Sequence, residues 1–333
     1  SVTASPDMSV NIATNGKPDA AIMMGKNHPT DDEPTMVLAA ALPLSMLDAP
    51  KRVGVIGFGS GLTTHTLLGD SRLEQVDTIE IEEAMVQGAR AFGHRVERAY
   101  TDPRSRIVID DAKAYFAGQK TKYDIIISEP SNPWISGVSA LFSKEFYQFV
   151  PRHLNENGLF VQWVQLYEID DALVGSILKS LTPAFNDYAA WISNSSDLLI
   201  VASPKGTVPK ADFERFRNSA LLQKELSDVG IASSEILQFR QVANAAMLRG
   251  LSKIHHGPPA NSDFYPTLGL QAPKTRFRAL SADSTLTLPF VNAELLTALG
   301  VRVQLKTTTA QSNIRHFPAE GMTWRARTLA SEL

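Results

Sequence analysis

Cysteine is missing from all 333 residues. Its absence excludes disulfides and thiol catalysis, and leaves every redox compartment open. An excess of one charge is missing too: charged residues make up 20% of the chain, with a formal net charge of −3. Nucleic-acid binders usually carry a basic stripe or domain, so this balance gives no reason to expect such a partner. No apolar run approaches the ~18 residues that span a bilayer. Hydrophobic residues are plentiful, at 44%. That is ordinary for a globular protein burying a core in one large domain or two smaller ones. The chain opens on Ser1 and not on methionine, which predicts a processed or trimmed chain.

From Lys51 to Val164 a pattern repeats: a short β-branched run, then a glycine or an acid, then a helical stretch. The runs are RVGVIGFG (52–59), VDTIEIEE (76–83), RIVIDD (106–111), YDIIISE (123–129) and GLFVQWV (158–164). They are nearly continuous apolar segments, as strands covered by helices on both faces require. Their spacing suits crossover units and predicts a parallel α/β sheet. YAAWISNSSDLLIVAS (188–203) predicts an antiparallel hairpin closing that sheet. Residues 1–50 read as a β-rich segment with a turn, TNGKPD, and a linking helix at 33–47; residues 51–204 read as the main domain. Residues 205–305 read as a mostly helical extension, with helices at 211–230 and 292–301, and 306–333 as a tail.

Three strand ends carry the chemistry. GFGSG, with Gly57, Gly59, Ser60 and Gly61, leaves the first strand and opens a helix. Glycines there permit a tight turn and let a ligand approach the backbone. The loop is not a nucleophile elbow, because Phe58 and Leu62 stand where that motif has glycines around its serine. Glu80 ends the second strand about 20 residues on, placed to accept from ribose hydroxyls. Asp110 and Asp111 end the third strand, where a carboxylate can accept from an adenine amine or cap the following helix. Together they predict an adenosine site at the carboxyl edge of the sheet. Leu62 replaces the third glycine of a dinucleotide loop. With the closing hairpin, this favours a Rossmann-like sheet of the S-adenosylmethionine-dependent methyltransferase type over a nicotinamide fold.

In order, VGVIGFGSG, VDTIEIE, VIDDAKAYF, YDIIISEPSNP, LFSKEFYQFV and LNENGLFVQW resemble the spermidine synthases, the polyamine aminopropyltransferases, over about residues 10–203. SEPSNPWISGVSALFSKEFY, QWVQLYEI and NSDFYPTLGLQAPK resemble a bacterial branch often fused to membrane segments. The resemblance implies a transferase that moves an aminopropyl group from decarboxylated S-adenosylmethionine to a polyamine-type amine. Gly57, Gly59 and Gly61 would surround the methionine portion of the donor, Glu80 would hold the ribose and Asp111 the adenine. Glu129 would orient or deprotonate the attacking amine, and Asn132 would meet the acceptor. The resemblance further implies a homodimer, a membrane-segment fusion upstream of Ser1, and a cytoplasmic location, tethered to the inner face of a membrane in the full-length protein.

Several positions depart from the family pattern. Glu129 and Asn132 stand where the family has two aspartates, and Ser60 replaces an aspartate that binds the donor ammonium. Asp19 is aligned with a donor-contacting glutamine and can restore that charge. The family's histidine and tyrosine after Asp32-Glu33 are missing. The alternative is another transfer dependent on S-adenosylmethionine itself, methyltransferase-like, or a non-catalytic nucleoside-binding domain. Trp134 can wall an aliphatic chain or pack against its loop, and Tyr167, with Gln162 and Gln165 nearby, is the expected acceptor-pocket contact. His255 and His256 are sequence neighbours with no further ligands at helical spacing, so no metal is expected. His65 is expected to be a packing or surface residue, and Asp263 a turn former.

Overall fold

The valine- and isoleucine-rich runs form the centre of one sheet in the computed structural model, which describes residues 1–14, 17–25, 28–254, 257–282 and Thr285. His255, His256, the helix expected at 292–301 and the tail at 306–333 lie outside the described residues. A three-stranded antiparallel sheet comes first, with β1 (Val2–Ala4), β2 (Ser9–Thr14) and β3 (Lys17–Met23). The main sheet holds β4 (Arg52–Ile56), β5 (Gln75–Glu80), β6 (Ser105–Ile109), β7 (Tyr123–Ser128), β8 (Leu154–Gln165), β9 (Asp187–Ile192), β10 (Asp197–Ser203) and β11 (Gln241–Asn244). Its spatial order is β11-β9-β10-β8-β7-β4-β5-β6. β4 pairs in parallel with β5 and β7, and β5 with β6, while β9 pairs antiparallel with β10 and β11.

The expected parallel α/β sheet and closing hairpin are therefore present. β11 was not expected. It is four residues long, is flanked by helices, and pairs with β9 through an irregular register at Trp191 and Ala190. So short a segment leaves no alternating pattern to read. The helix expected over 211–230 is divided, into a 3₁₀ turn (Phe213–Phe216) and a helix (Ala220–Asp228) capped by Ser219. Serine competes locally for backbone hydrogen bonds, so it starts a helix better than it continues one.

The chain falls into two compact units that interleave along the sequence. The first comprises residues 1–131, 153–161 and 209–232. At its core, Val53, Val55, Ile125 and Ile127 are fully buried on the central strands. The helix Glu33–Leu44 is buried along its whole length. Glu33 enters that core because Arg95 and the amides of Met23 and Thr30 satisfy its carboxylate. Asp32 accepts from the Ala21 amide, so the Asp32-Glu33 pair ties β3 to this helix.

The second unit comprises residues 132–152, 162–208 and the described residues from Ser233 onward. Its core is built on the β9–β10 hairpin and the helix Asp171–Leu181. Among the described residues, no helix is long and apolar enough to cross a membrane.

Candidate functional site

In the first unit, backbone hydrogen bonds carry the strand ladders one step beyond the strands. Gly57 donates to Ile79, Asp110 to Glu80 and Glu129 to Ile56. The ends of β7, β4, β5 and β6 are therefore in step. Glu129, Gly57, Glu80 and Asp110 lie along one edge, spread over three interstrand spacings, roughly 14 Å.

The glycine loop cannot be built from other residues. Gly57 has φ +95°, and a Cβ there would lie 2.3 Å from the Glu129 carbonyl oxygen. The loop thus presses directly on the exit of β7. Gly59 also has a positive φ, and a Cβ there would meet nothing within 4 Å, so open space borders the loop at this point.

Glu80 organises the loop from the neighbouring strand. Its Oε2 accepts from the Phe58 amide and its Oε1 from the Glu82 amide, each at 2.9 Å. Burial pushes the Glu80 carboxyl above its usual range, the amides of Phe58, Glu82 and Ile81 pull it back, and the charge of Asp19 pushes it up again. That last effect brings Asp19, from β3, into electrostatic range of Glu80. Asp19 also accepts from the Ser131 hydroxyl at 3.3 Å, so it borders the β7 exit as well.

Glu129 is anchored by a residue that sequence reasoning missed. The Thr63 hydroxyl donates to Glu129 Oε2 at 2.6 Å. Thr63 is buried in the helix that follows the glycine loop, 66 positions from Glu129 in sequence. A threonine inside a helix is unremarkable locally, so nothing in the sequence singles it out. Ser60 is fully buried beneath the loop, with its hydroxyl on Met36 Sδ at 2.9 Å and accepting from the Leu62 amide. Asp110 and Asp111 are exposed. Asp111 caps the helix Ala112–Gly118 through the Ala114 amide at 2.9 Å, and Asp110 accepts from the Asp111 amide.

The second unit holds the remaining candidates. Asn132 is buried and donates to the Tyr167 hydroxyl at 3.3 Å. Trp134 lies under the Arg276 guanidinium, 5.3 Å from its ring centre. Gln162 is bound to Tyr147 at 3.1 Å, a structural role. Arg276 was not anticipated, because its contact with Trp134 joins distant parts of the chain. Asp263 donates its amide to Glu145. In the first unit, His65 is buried, accepts from the Arg98 amide and faces Glu225 at 3.3 Å. Among the described residues, no group of three or more potential ligands is placed to hold a metal ion.

The model of the spermine/spermidine synthase domain matches residues 36–195. A polyamine aminopropyltransferase of Erwinia tasmaniensis is 38% identical over 122 residues, 36% of this chain and 42% of that protein. Another, of Aeropyrum pernix, is 29% identical over 202 residues, 58% of this chain and 64% of that protein. The chain thus spans about half the length of the curated relatives it matches. The crystal structure of a spermidine synthase from Thermotoga maritima superposes with a TM-score of 0.56 at 21% identity, covering 68% of this chain and 83% of that one. That likeness shows a shared fold. Residues 36–195 are thus similar to the spermine/spermidine synthase domain, over just under half of the chain.

Proposed function

We propose that this protein is an aminopropyltransferase that uses decarboxylated S-adenosylmethionine as donor and a small amine as acceptor. The observation that carries the reading is the aligned edge of Gly57, Glu80, Asp110 and Glu129, with Asp19 drawn to the same strand ends. A nucleoside fits this edge. The open space beside Gly59 admits the donor, Glu80 accepts from ribose hydroxyls, and Asp110 and Asp111 offer acceptors to an adenine amine. Asp19 and Glu80 repel each other, and a bound cation relieves that repulsion. The donor carries such charge on its sulfonium and its ammonium.

Glu129 acts on the amine. Alkylammonium groups titrate near ~10.4 and carboxylates near ~4.3, so direct proton transfer in the ground state is unfavourable by roughly 6 units. Glu129 therefore orients the nitrogen and stabilises its charge as the reaction proceeds. The ammonium first gives a proton to solvent, and the neutral amine reacts. Its nitrogen lone pair forms a bond to the carbon beside sulfur, and the carbon–sulfur bond breaks with its electron pair passing to sulfur. Sulfur leaves as the neutral thioether of methylthioadenosine. The nitrogen becomes a secondary ammonium as the new bond forms, and the Glu129 carboxylate stabilises that developing charge. Thr63 fixes one carboxylate oxygen, so the other is held in a defined direction.

The test is direct. Purified protein is incubated with decarboxylated S-adenosylmethionine and a panel of amines, and released methylthioadenosine is measured. Release that depends on an amine supports the reading. Release of S-adenosylhomocysteine from S-adenosylmethionine would replace it with methyl transfer. Nucleoside binding by calorimetry with no product in either assay would leave a binding domain.

A further inference from the structure

The helix Leu62–Leu67, which carries Thr63, is only six residues long and buried throughout. Helices so short have almost no stability of their own in water, so their neighbours fix their position. Three consecutive side chains do this here. Thr63 donates to Glu129 Oε2, with the Met36 carbonyl 3.3 Å away. The Thr64 hydroxyl lies 2.7 Å from that of Thr78 on β5. His65 bonds to two further helices, Glu97–Thr101 and Ala220–Asp228.

Its Nδ1 accepts from the Arg98 amide at 3.1 Å. That amide lies in the first turn of Glu97–Thr101, where amides find no partner inside the helix, and Val96 at the N-cap offers no side-chain bond. His65 therefore caps that helix from another one. Its Nε2 lies 3.3 Å from Glu225 Oε1. Arg98 reaches the same carboxylate at 2.9 Å, and its Nε donates to the His65 carbonyl at 2.9 Å. With Nδ1 accepting, the hydrogen sits on Nε2 and the ring is neutral. A charged ring carries hydrogen on both nitrogens, so Nδ1 can no longer accept from Arg98, and the Val96 carbonyl favours that form. Burial and the Arg98 charge hold the ring neutral, against Glu225 and Val96. Other ionisable groups on elements packed against this helix have different partners: Glu33 meets Arg95, Asp77 meets Tyr123 and Glu80 meets the loop amides. His94 and Glu97 are exposed, and Lys224 pairs with Asp228 at the surface.

We propose that His65 is a positioning residue for the reacting centre. While neutral, it holds the helix Leu62–Leu67 so that Thr63 meets Glu129; on protonation it turns from the Arg98 amide to the Val96 carbonyl and withdraws Thr63. The inference rests on aminopropyl transfer as proposed above. Turnover then loses one hydrogen bond at Glu129 in mild acid, while the protein is still folded.

The experiment follows methylthioadenosine release from pH 8 to pH 5, with saturating decarboxylated S-adenosylmethionine and the amine of the panel that reacts fastest. It compares the unaltered protein with His65→Gln, whose amide does not titrate. Each rate is divided by the folded fraction found by near-ultraviolet circular dichroism at the same pH. Acid leaves less neutral amine for either protein, so the ratio of the two rates isolates His65. The ratio of unaltered protein to variant is expected to fall ~10-fold or more as pH drops below ~6.5. The same comparison is made with Thr63→Val present in both proteins, and that ratio is expected not to change with pH. A merely structural His65 would move both ratios or neither. A flat ratio with Thr63 present, or an equal fall without it, overturns the inference and leaves aminopropyl transfer intact. Absence of product with every amine overturns aminopropyl transfer, and this inference with it.

Discussion

The first unit sets carboxylates at its strand ends, while the second unit's loop cluster relies on amides, a phenol and one ion pair. Asp19, Glu80, Asp110, Asp111 and Glu129 are negative groups held by backbone amides and hydroxyls. Around Asn132 and Tyr167, by contrast, the charges of Arg276 and Glu168 answer each other. The difference sets the proposed chemistry in the first unit and leaves the second unit's cluster nearly neutral. In the proposed reaction, binding a cationic donor and stabilising a developing ammonium would require carboxylates, and the first unit keeps them.

That division can be broken most sharply at Glu129. Glu129→Gln is expected to lower methylthioadenosine release by ~10²–10³-fold with every acceptor, the usual effect of removing a group that stabilises charge in the transition state. Undiminished turnover would remove Glu129 from the reaction and leave the first unit with donor binding alone. Gly57→Ala comes next and reads out in stability. The positive φ and the clash with the Glu129 carbonyl together predict a loss of ~3 kcal/mol or more, seen as a lowered urea midpoint. A midpoint close to that of the unaltered protein would show that the loop does not press on β7 as described.

Thr63→Val removes the hydroxyl from Glu129 and keeps nearly the same shape. Hydrogen bonds to charged groups contribute ~1.5–3 kcal/mol, so a ~10–100-fold fall in kcat is expected. Under the proposed reaction it should fall alike for every amine that is accepted. An unchanged kcat would show that this hydroxyl does not position Glu129.

The smallest effect concerns His65, outside both groups. Burial lowers its pKa below the ordinary value, with the Arg98 charge acting the same way, against the opposing effect of Glu225. The unfolded chain then binds a proton more readily than the folded one, so stability should fall as pH drops below ~6.5. Thermal midpoints measured between pH 7 and pH 5 should decline less steeply for His65→Gln than for the unaltered protein. Parallel curves would mean that the proton is accommodated at no cost.

Much of the first unit was legible in the sequence because its logic is local. A β-branched run followed by glycine or acid marks a strand and its end within ten residues. From GFGSG, DTIE, IDDA and ISEP the sheet and its edge could be read in order. The helix at Glu33–Leu44 was equally plain. Elsewhere the local signal failed. Four residues at β11 carry too little pattern to declare a strand. Thr63 looks like any helical threonine until the fold brings it against Glu129. Ser60 reads as a loop residue facing a ligand, yet its hydroxyl lies buried on Met36.

By itself, then, the sequence determined the sheet, the placement of glycines and acids at its strand ends, and the likeness to aminopropyltransferases. Each depends on residues close together in the chain and on the period of their side chains. Only the tertiary structure decided that Asp19 meets Ser131 across 112 positions, that Thr63 anchors Glu129, and that Arg276 covers Trp134. Those contacts join segments that carry no mark of one another. Burial and charge pairing select them once the chain has closed on itself.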